Sequence, residues 1–533
     1  MRGWTWKLLI VIGILPLSGG NLWAQNPHNP IPCGQQLSPQ AVYRGVPAYS
    51  NGTDQWSEAD CGESPGPYGD QYQCVEYVRR FYSLVFGVDT NKWKYYNADQ
   101  YYENAATLGL LAFPNGGSVP PAPGDIVVFE GGSAGHVAIV MDLTSDGMDI
   151  IEQNWSVTGV AHLTLDSNGE YIRQNSHYKV LGWLRTSLTT YAFVANGAGP
   201  NDDVWSYRVD PITGALDPVT NPLTGSPGFT SSSADPGSIS ITADPTGRFV
   251  YLANLGIPSS SGDISAYGVD PATGVLAAID GSPFSAGSGP ISVAVHPSGK
   301  FVYVANEIGG EVSVFAANST TGTLSQISGS PFTLSVAQIA MDPQGRFLFG
   351  AVPDLKAFQI DPVTGVPSQV ASYSESLGPT RAAVDPTGKF LYVANFSGGV
   401  SAYTINSSTG VLTPISGSPF SGALVGFAVA IDPTGKFAYV ANANPSDSIS
   451  AYAIDSGTGA LTSIGSPYPT AGCPVSVAVD PSGRFLYAAE TCGSNNILGY
   501  QINPLSGALT PVTGSPFPTG SDPTSITVSQ DVP

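Results

Sequence analysis

The stretch HPSGKFVYVAN, His296 to Asn306, decides the fold of the second half of the chain. A Pro-x-Gly turn is followed by FVYVAN, in which Val302 and Val304 alternate with Tyr303. That alternation has the period of a half-buried strand. The phrase recurs. Asp-Pro-x-Gly-Arg/Lys-Phe starts at Asp244, Asp342, Asp385, Asp432 and Asp480, with His296 in the place of Asp once. The successive spacings are 52, 46, 43, 47 and 48 residues. A type I turn explains the wording: Asp at the first position, Pro at the second, Gly at the fourth. A second phrase, Thr/Ser-Gly, ends at Gly214, Gly274, Gly322, Gly365, Gly410, Gly459 and Gly507. Gly-Ser-Pro-Phe/Tyr begins at Gly281, Gly329, Gly417, Gly465 and Gly514.

Each unit reads as four short antiparallel strands, the pattern of one propeller blade. Seven second strands and seven third strands are present, but only six first strands precede them. Ser525 to Ser529 (SITVS) supplies the seventh and is expected to close the first blade against Tyr191 to Asn196. The repeat phrases resemble those of the YVTN-repeat and lactonase-like seven-bladed propellers. The resemblance implies a binding or lactone-hydrolysing propeller. Lactonase-type members begin one first strand with Gly-Pro-Arg-His. Here the matching runs are Gly289-Pro290-Ile291-Ser292 and Gly378-Pro379-Thr380-Arg381, without the histidine. Glu307 stands where that family often has an acid, and Arg381 is one residue late.

The composition sets further bounds. Gly 63 and Pro 45 in 533 residues make a turn-rich chain, and 42% apolar residues suffice for packed cores. Only 11% of residues are charged, with a net charge of −21. Such a surface repels nucleic acid and anionic membranes, so no nucleic-acid partner is expected. Residues 1–24 read as a secretory leader: Arg2 and Lys7, an apolar run from Leu8 to Leu17, then Leu22-Trp23-Ala24 at the cut. No later run is long enough for a membrane span. A secreted or periplasmic location is expected, with residues 25–186 and 190–533 as the two domains.

Residues 25–186 show no repeat. QCVEYVRRFYSLVFG, Gln73 to Gly87, has apolar residues at 74, 78, 81, 82 and 85, one face of a helix. Strand patterns follow at Asp125 to Glu130, Gly135 to Leu143, Met148 to Trp155 and in KVLGWLR ending at Arg185. One helix on a small antiparallel sheet is an α+β layout. Cys74 falls in the first helical turn, where free N–H groups favour a thiolate. His136 at a strand start can face it. Glu152 or Asn154 can then fix the imidazole.

Gln73-Cys74, Pro123-Gly124-Asp125, Gly135-His136-Val137 and Glu152-Gln153-Asn154 stand in the order of the CHAP domains, cysteine- and histidine-dependent amidohydrolases/peptidases of papain-like fold. QCVEYVRRF, EQN and LGW most resemble the glutathionylspermidine amidase branch. The resemblance implies Cys74 as nucleophile, His136 as base, Glu152 as third member with Asn154 in support, and an oxyanion site at Gln73 and the Cys74 N–H. It implies a peptidoglycan or peptide substrate, no cofactor and no metal, with the propeller's own ligand unknown. The alternatives are a binding protein with a vestigial CHAP domain and, third, a lactonase.

Other residues carry plainer readings. His162 and His177 read as surface or strand residues, and Trp155 and Trp183 as core. Asp54, Glu58 and Asp60 read as a solvated acidic loop, and Glu76 with Arg79 as a helix pair. Five cysteines leave one over in an oxidising compartment. Cys33 with Cys61 and Cys473 with Cys492 is the expected pairing, which leaves Cys74 reduced.

Overall fold

The computed structural model describes residues 36–530, apart from 44–45, 50–64, 67–68, 71–73, 86–87, 89, 118–119, 132–133, 154–157, 174–175, 177, 187–188, 198–202, 231–236, 257–261, 375, 423–424, 444–446 and 466. The leader, Cys33, the acidic loop, Cys61, Gln73, Asn154, Trp155 and His177 lie outside the described residues.

The helix read from the sequence is α1, Cys74–Val85. It lies on a seven-stranded sheet whose strands, in chain order, are β1 (Leu110–Pro114), β2 (Ile126–Glu130), β3 (His136–Thr144), β4 (Gly147–Ile151), β5 (Val160–Leu165), β6 (Tyr171–Ile172) and β7 (Lys179–Thr186). The spatial order is β6-β5-β4-β3-β2-β7-β1, and all pairs are antiparallel. β2 and β3 are apolar on both faces because both faces are covered. Ile126, Val128, Val137 and Ile139 share one core with Tyr77, Val78, Phe81 and Tyr82 of α1. Val127, Phe129, Ala138 and Val140 point to a second core with Met148, Ile150, Leu163 and Val180. Each fully buried large side chain contributes about 1.5–3 kcal/mol of hydrophobic stabilisation, so the helix is held by its face rather than by propensity.

From Thr190 the chain forms seven four-stranded blades. In the first, Thr190–Asn196, Asp203–Val209 and Leu216–Pro218 are completed by Pro523–Gln530. Thr190 pairs with Gln530 and Val194 with Ile526, so the last strand closes the ring as the strand count requires. Cys473 and Cys492 form a disulfide across the first two strands of the last blade.

The repeat phrases join one blade to the next. In the Thr/Ser-Gly turns, Gly322, Gly365, Gly410, Gly459, Gly507 and Gly214 have positive φ. A Cβ on any of them would lie 2.3–2.6 Å from the first Phe of a neighbouring second strand. Side chains are excluded there on both counts. The tyrosine of the same second strand donates to that turn: Tyr303 to the carbonyl of Gly365 at 2.7 Å, Tyr392 to Gly459 at 2.9 Å, Tyr439 to Gly507 at 3.0 Å and Tyr487 to Gly214 at 2.7 Å. The last of these crosses from blade seven to blade one. The turn aspartates accept backbone N–H groups, as Asp480 does from Phe485 at 2.7 Å. In blade four, Phe349 replaces the tyrosine and offers no hydroxyl.

The two parts also touch. Lys436 of the sixth blade pairs with Asp142 of β3. The Pro123-Gly124-Asp125 loop lines a cleft with Asp480, Pro481 and Phe485 of the last blade. Within that loop, Asp125 takes a bidentate ion pair from Arg185 of β7, at 2.8 Å to Nε and 2.7 Å to Nη2. Tyr82 of α1 donates to the Gly124 carbonyl at 2.8 Å. Helix, loop and last strand are thereby locked where the propeller begins.

Candidate active site

Cys74 opens α1 and is half-buried, outside any disulfide. Gly135, which directly precedes His136, has φ of 66°. A Cβ there would sit 2.5 Å from the Asp99 Cβ and 2.6 Å from the Phe129 carbonyl. Only glycine lets the chain turn so tightly into β3. That turn aims His136 from the sheet toward the helix N-terminus. Its ring packs on Phe129 with centroids 5.7 Å apart.

The imidazole is held on both sides. Its Nε2 meets Glu152 Oε2 at 3.0 Å, which leaves Nδ1 as the nitrogen on the other edge, and the ring is hydrogen-bonded to the Cys74 thiol. Glu152 lies just past β4 and has no exposed surface. Its N–H donates to the Gly159 carbonyl at 3.0 Å. Burial of the Cys74 thiol opposes ionisation. The charge and hydrogen bond of His136, with the N–H groups of Val137 and Val75, outweigh it and hold the thiol below its usual range. Burial likewise disfavours the imidazolium, but Cys74 and Glu152 win and push His136 up to about 9. Burial alone would raise Glu152; His136 and Arg173 instead hold it below the usual carboxylate range.

Two sets of partners were not anticipated. Arg173, just after β6, grips both Glu152 oxygens, Nη1 to Oε2 at 2.7 Å and Nη2 to Oε1 at 2.9 Å. Gln153, fully buried, donates to Glu76 Oε2 at 3.1 Å and accepts from Arg80 Nη2 at 2.8 Å. Arg80 also pairs with Glu76 at 2.8 Å. The partner of Glu76 is therefore Arg80, four residues on, and not Arg79. Arg79 points into the core and donates to the Thr90 carbonyl at 3.0 Å. Both spacings reach on a helix; the fixed carbonyl of Gln153 decides between them. The network ties the start of α1 to the segment carrying Glu152. His162 is exposed and bonds Asp149 at 2.7 Å, away from this cluster. Trp183 is core, edge-on to Tyr171.

Fold and cluster together define a seven-bladed propeller joined to an α+β unit with a cysteine, a histidine and a glutamate in contact. The chain belongs to the lactonase family of seven-bladed β-propellers, whose model matches residues 227–425 and 418–526, and it carries a CHAP domain, matched at residues 64–154. Over 150 aligned residues it is 34% identical to the bifunctional glutathionylspermidine synthetase/amidase of Escherichia coli (strain K12), covering 23% of each chain. The same figures hold for the Shigella flexneri protein. This chain thus spans under a quarter of those relatives. The propeller superposes on the periplasmic gluconolactonase of Pseudomonas aeruginosa with a TM-score of 0.52 and 19% identity, covering 65% of this chain and 100% of that one. A Bacteroides uniformis protein provisionally assigned as a 6-phosphogluconolactonase gives 0.52 and 23%, over 64% and 100%. At these identities the likeness is one of fold.

Proposed function

We propose that this protein is an exported cysteine amidohydrolase that cleaves an amide bond in peptidoglycan peptide or a related peptide–amine conjugate. The observation that carries the reading is the contact chain Cys74–His136–Glu152, with a thiol below its usual range and an imidazole above it. A thiolate held by an adjacent imidazolium is the activated nucleophile of amide cleavage. Cys74 Sγ attacks the carbonyl carbon, and the C–O π electrons move to oxygen. The Cys74 N–H and the Gln73 position receive that oxyanion. His136 gives its proton to the amide nitrogen, the C–N bond breaks and the amine leaves a thioester. His136 then takes a proton from water, whose oxygen displaces the thiolate. The Glu152-Gln153-Asn154 motif gives Asn154 a supporting role to Glu152. The propeller serves as the binding module. Export rests on the leader-like pattern of residues 1–24.

A second reading, lactone hydrolysis in the propeller, is favoured by family membership. It stands second because both Gly-Pro first-strand starts lack the histidine. Mass spectrometry of purified peptidoglycan treated with wild type and Cys74→Ala separates the readings. New peptide fragments with wild type alone are expected. Gluconolactone hydrolysis that survives Cys74→Ala, with no amide cleaved, would overturn the first reading in favour of the second.

A further inference from the structure

Glu152 is a carboxylate with no access to water and three charge-assisted contacts, two of them from one guanidinium. An ionised carboxylate can accept about four hydrogen bonds. Arg173 occupies both oxygens and so fixes the plane of the group. Oε2 is the oxygen shared with His136, and its remaining lone-pair direction is set by the arginine. The arginine also balances the charge. Thiolate, imidazolium, carboxylate and guanidinium sum to zero in the cluster; without Arg173 they sum to one negative charge. A buried charge that loses its partner is costly and tends to be neutralised by a proton.

The geometry points to Arg173 as a positioning residue that keeps Glu152 ionised and so sets the pH range over which Cys74 is held as a thiolate. It grips both oxygens of Glu152 and acts on the ring through that carboxylate. The charged and titratable groups that face the cluster come from several elements: Cys74 from α1, Glu152 past β4, Arg173 past β6. Tyr101, from the short helix Gln100–Glu103, and Tyr178, ahead of β7, both feel the thiolate. Among the described residues, the cations at Glu152 are the His136 imidazolium, from β3, and Arg173. With Arg173 gone, Glu152 takes up a proton at higher pH, His136 loses its acceptor, and the imidazolium that holds the thiolate weakens. The acid limb of thiol reactivity therefore moves upward. A residue that merely braces the fold would lower stability without moving that limb.

This inference rests on the thiol–imidazole site proposed above, but its test needs no substrate. Iodoacetamide labelling of Cys74 is followed by mass spectrometry across pH for wild type, Arg173→Lys and Arg173→Met in the full chain, with melting curves alongside. Wild type should show a midpoint below the ordinary ~8.5 of a thiol. Arg173→Lys, which keeps the charge, should share it. Arg173→Met should shift it upward by about one unit. Should Arg173→Met fail to fold, the polar Arg173→Gln takes its place with the same expected shift. A neutral variant with the wild-type midpoint and only a lower melting temperature would overturn the role of Arg173 alone. An ordinary midpoint in wild type would overturn both this role and the site beneath it. Failure to cleave any amide, with the shifts as expected, would overturn only the proposed function.

Discussion

His136 and Glu152 meet through Nε2 and Oε2 at 3.0 Å, and the carboxylate is wholly buried. A carboxylate placed so does two things for the ring: it selects the tautomer and it stabilises the imidazolium.

Glu152→Gln keeps the shape and removes the charge. It should leave the fold intact, lower the melting temperature because Arg173 loses its anionic partner, and lower turnover by roughly one to three orders of magnitude, less than loss of the nucleophile. Amide cleavage by purified variants checks this. Unchanged turnover in Glu152→Gln with a large loss in Asn154→Ala would transfer the role to Asn154.

The proton on His136 predicts an alkaline limit. The folded value, pushed up to about 9, lies above the ordinary 6.5. A raised group stabilises the fold fully below its unfolded value, and that contribution is lost as pH rises through the folded one. Turnover should fall as pH passes about 9, because the leaving amine needs a proton donor. Iodoacetamide labelling of Cys74 should not fall there, since a thiolate persists. Parallel decline of both rates would show that the alkaline limit is not the proton donor.

Tyr487 predicts a measurable tie between the two ends of the ring. Its hydroxyl donates to the Gly214 carbonyl at 2.7 Å in a buried setting. Tyr487→Phe should cost about 1–3 kcal/mol by leaving that carbonyl unpaired. Denaturant titration of the propeller transition measures it. A loss within error would mean that water replaces the hydroxyl.

The closing strand can be removed outright. A chain ending after Thr519 lacks Pro523–Gln530 and leaves Thr190–Asn196 as an open edge. Its propeller should melt well below that of the full chain. Coincident melting curves would show that six complete blades and one partial blade suffice.

Much of this was legible in the sequence, for physical reasons. Blade strands are joined by tight turns, so Asp-Pro-x-Gly and Thr/Ser-Gly encode their geometry within a few residues. Even the closure followed from a missing strand. The positions of Cys74 and His136 at the starts of patterned elements let them be brought together from sequence, while the choice of Glu152 rests on the order of the family's motifs. Arg173 could not. It follows a strand of two residues, too short for any periodicity, and its partner is 21 positions away. The signal that existed was scarcity: with 19 Lys and Arg in 533 residues, each cation near the site merits a partner. Helix spacing alone points Glu76 at Arg79 as well as at Arg80, and the contact that decides for Arg80 comes from Gln153, 73 positions away.

The closing strand also gives this protein a timetable. The seven-stranded sheet has all its strands once β7 has been made, whereas Thr190 must wait for Gln530. At synthesis rates of ~5–20 residues per second, the roughly 340 intervening residues take on the order of 20 to 70 seconds. During that interval Thr190–Asn196 is an unsatisfied template, and a neighbouring nascent chain could pair with it as readily as its own tail. Thr190–Asn196 therefore stays an open edge for as long as Pro523–Gln530 is missing from the first blade, even when the other six blades are complete.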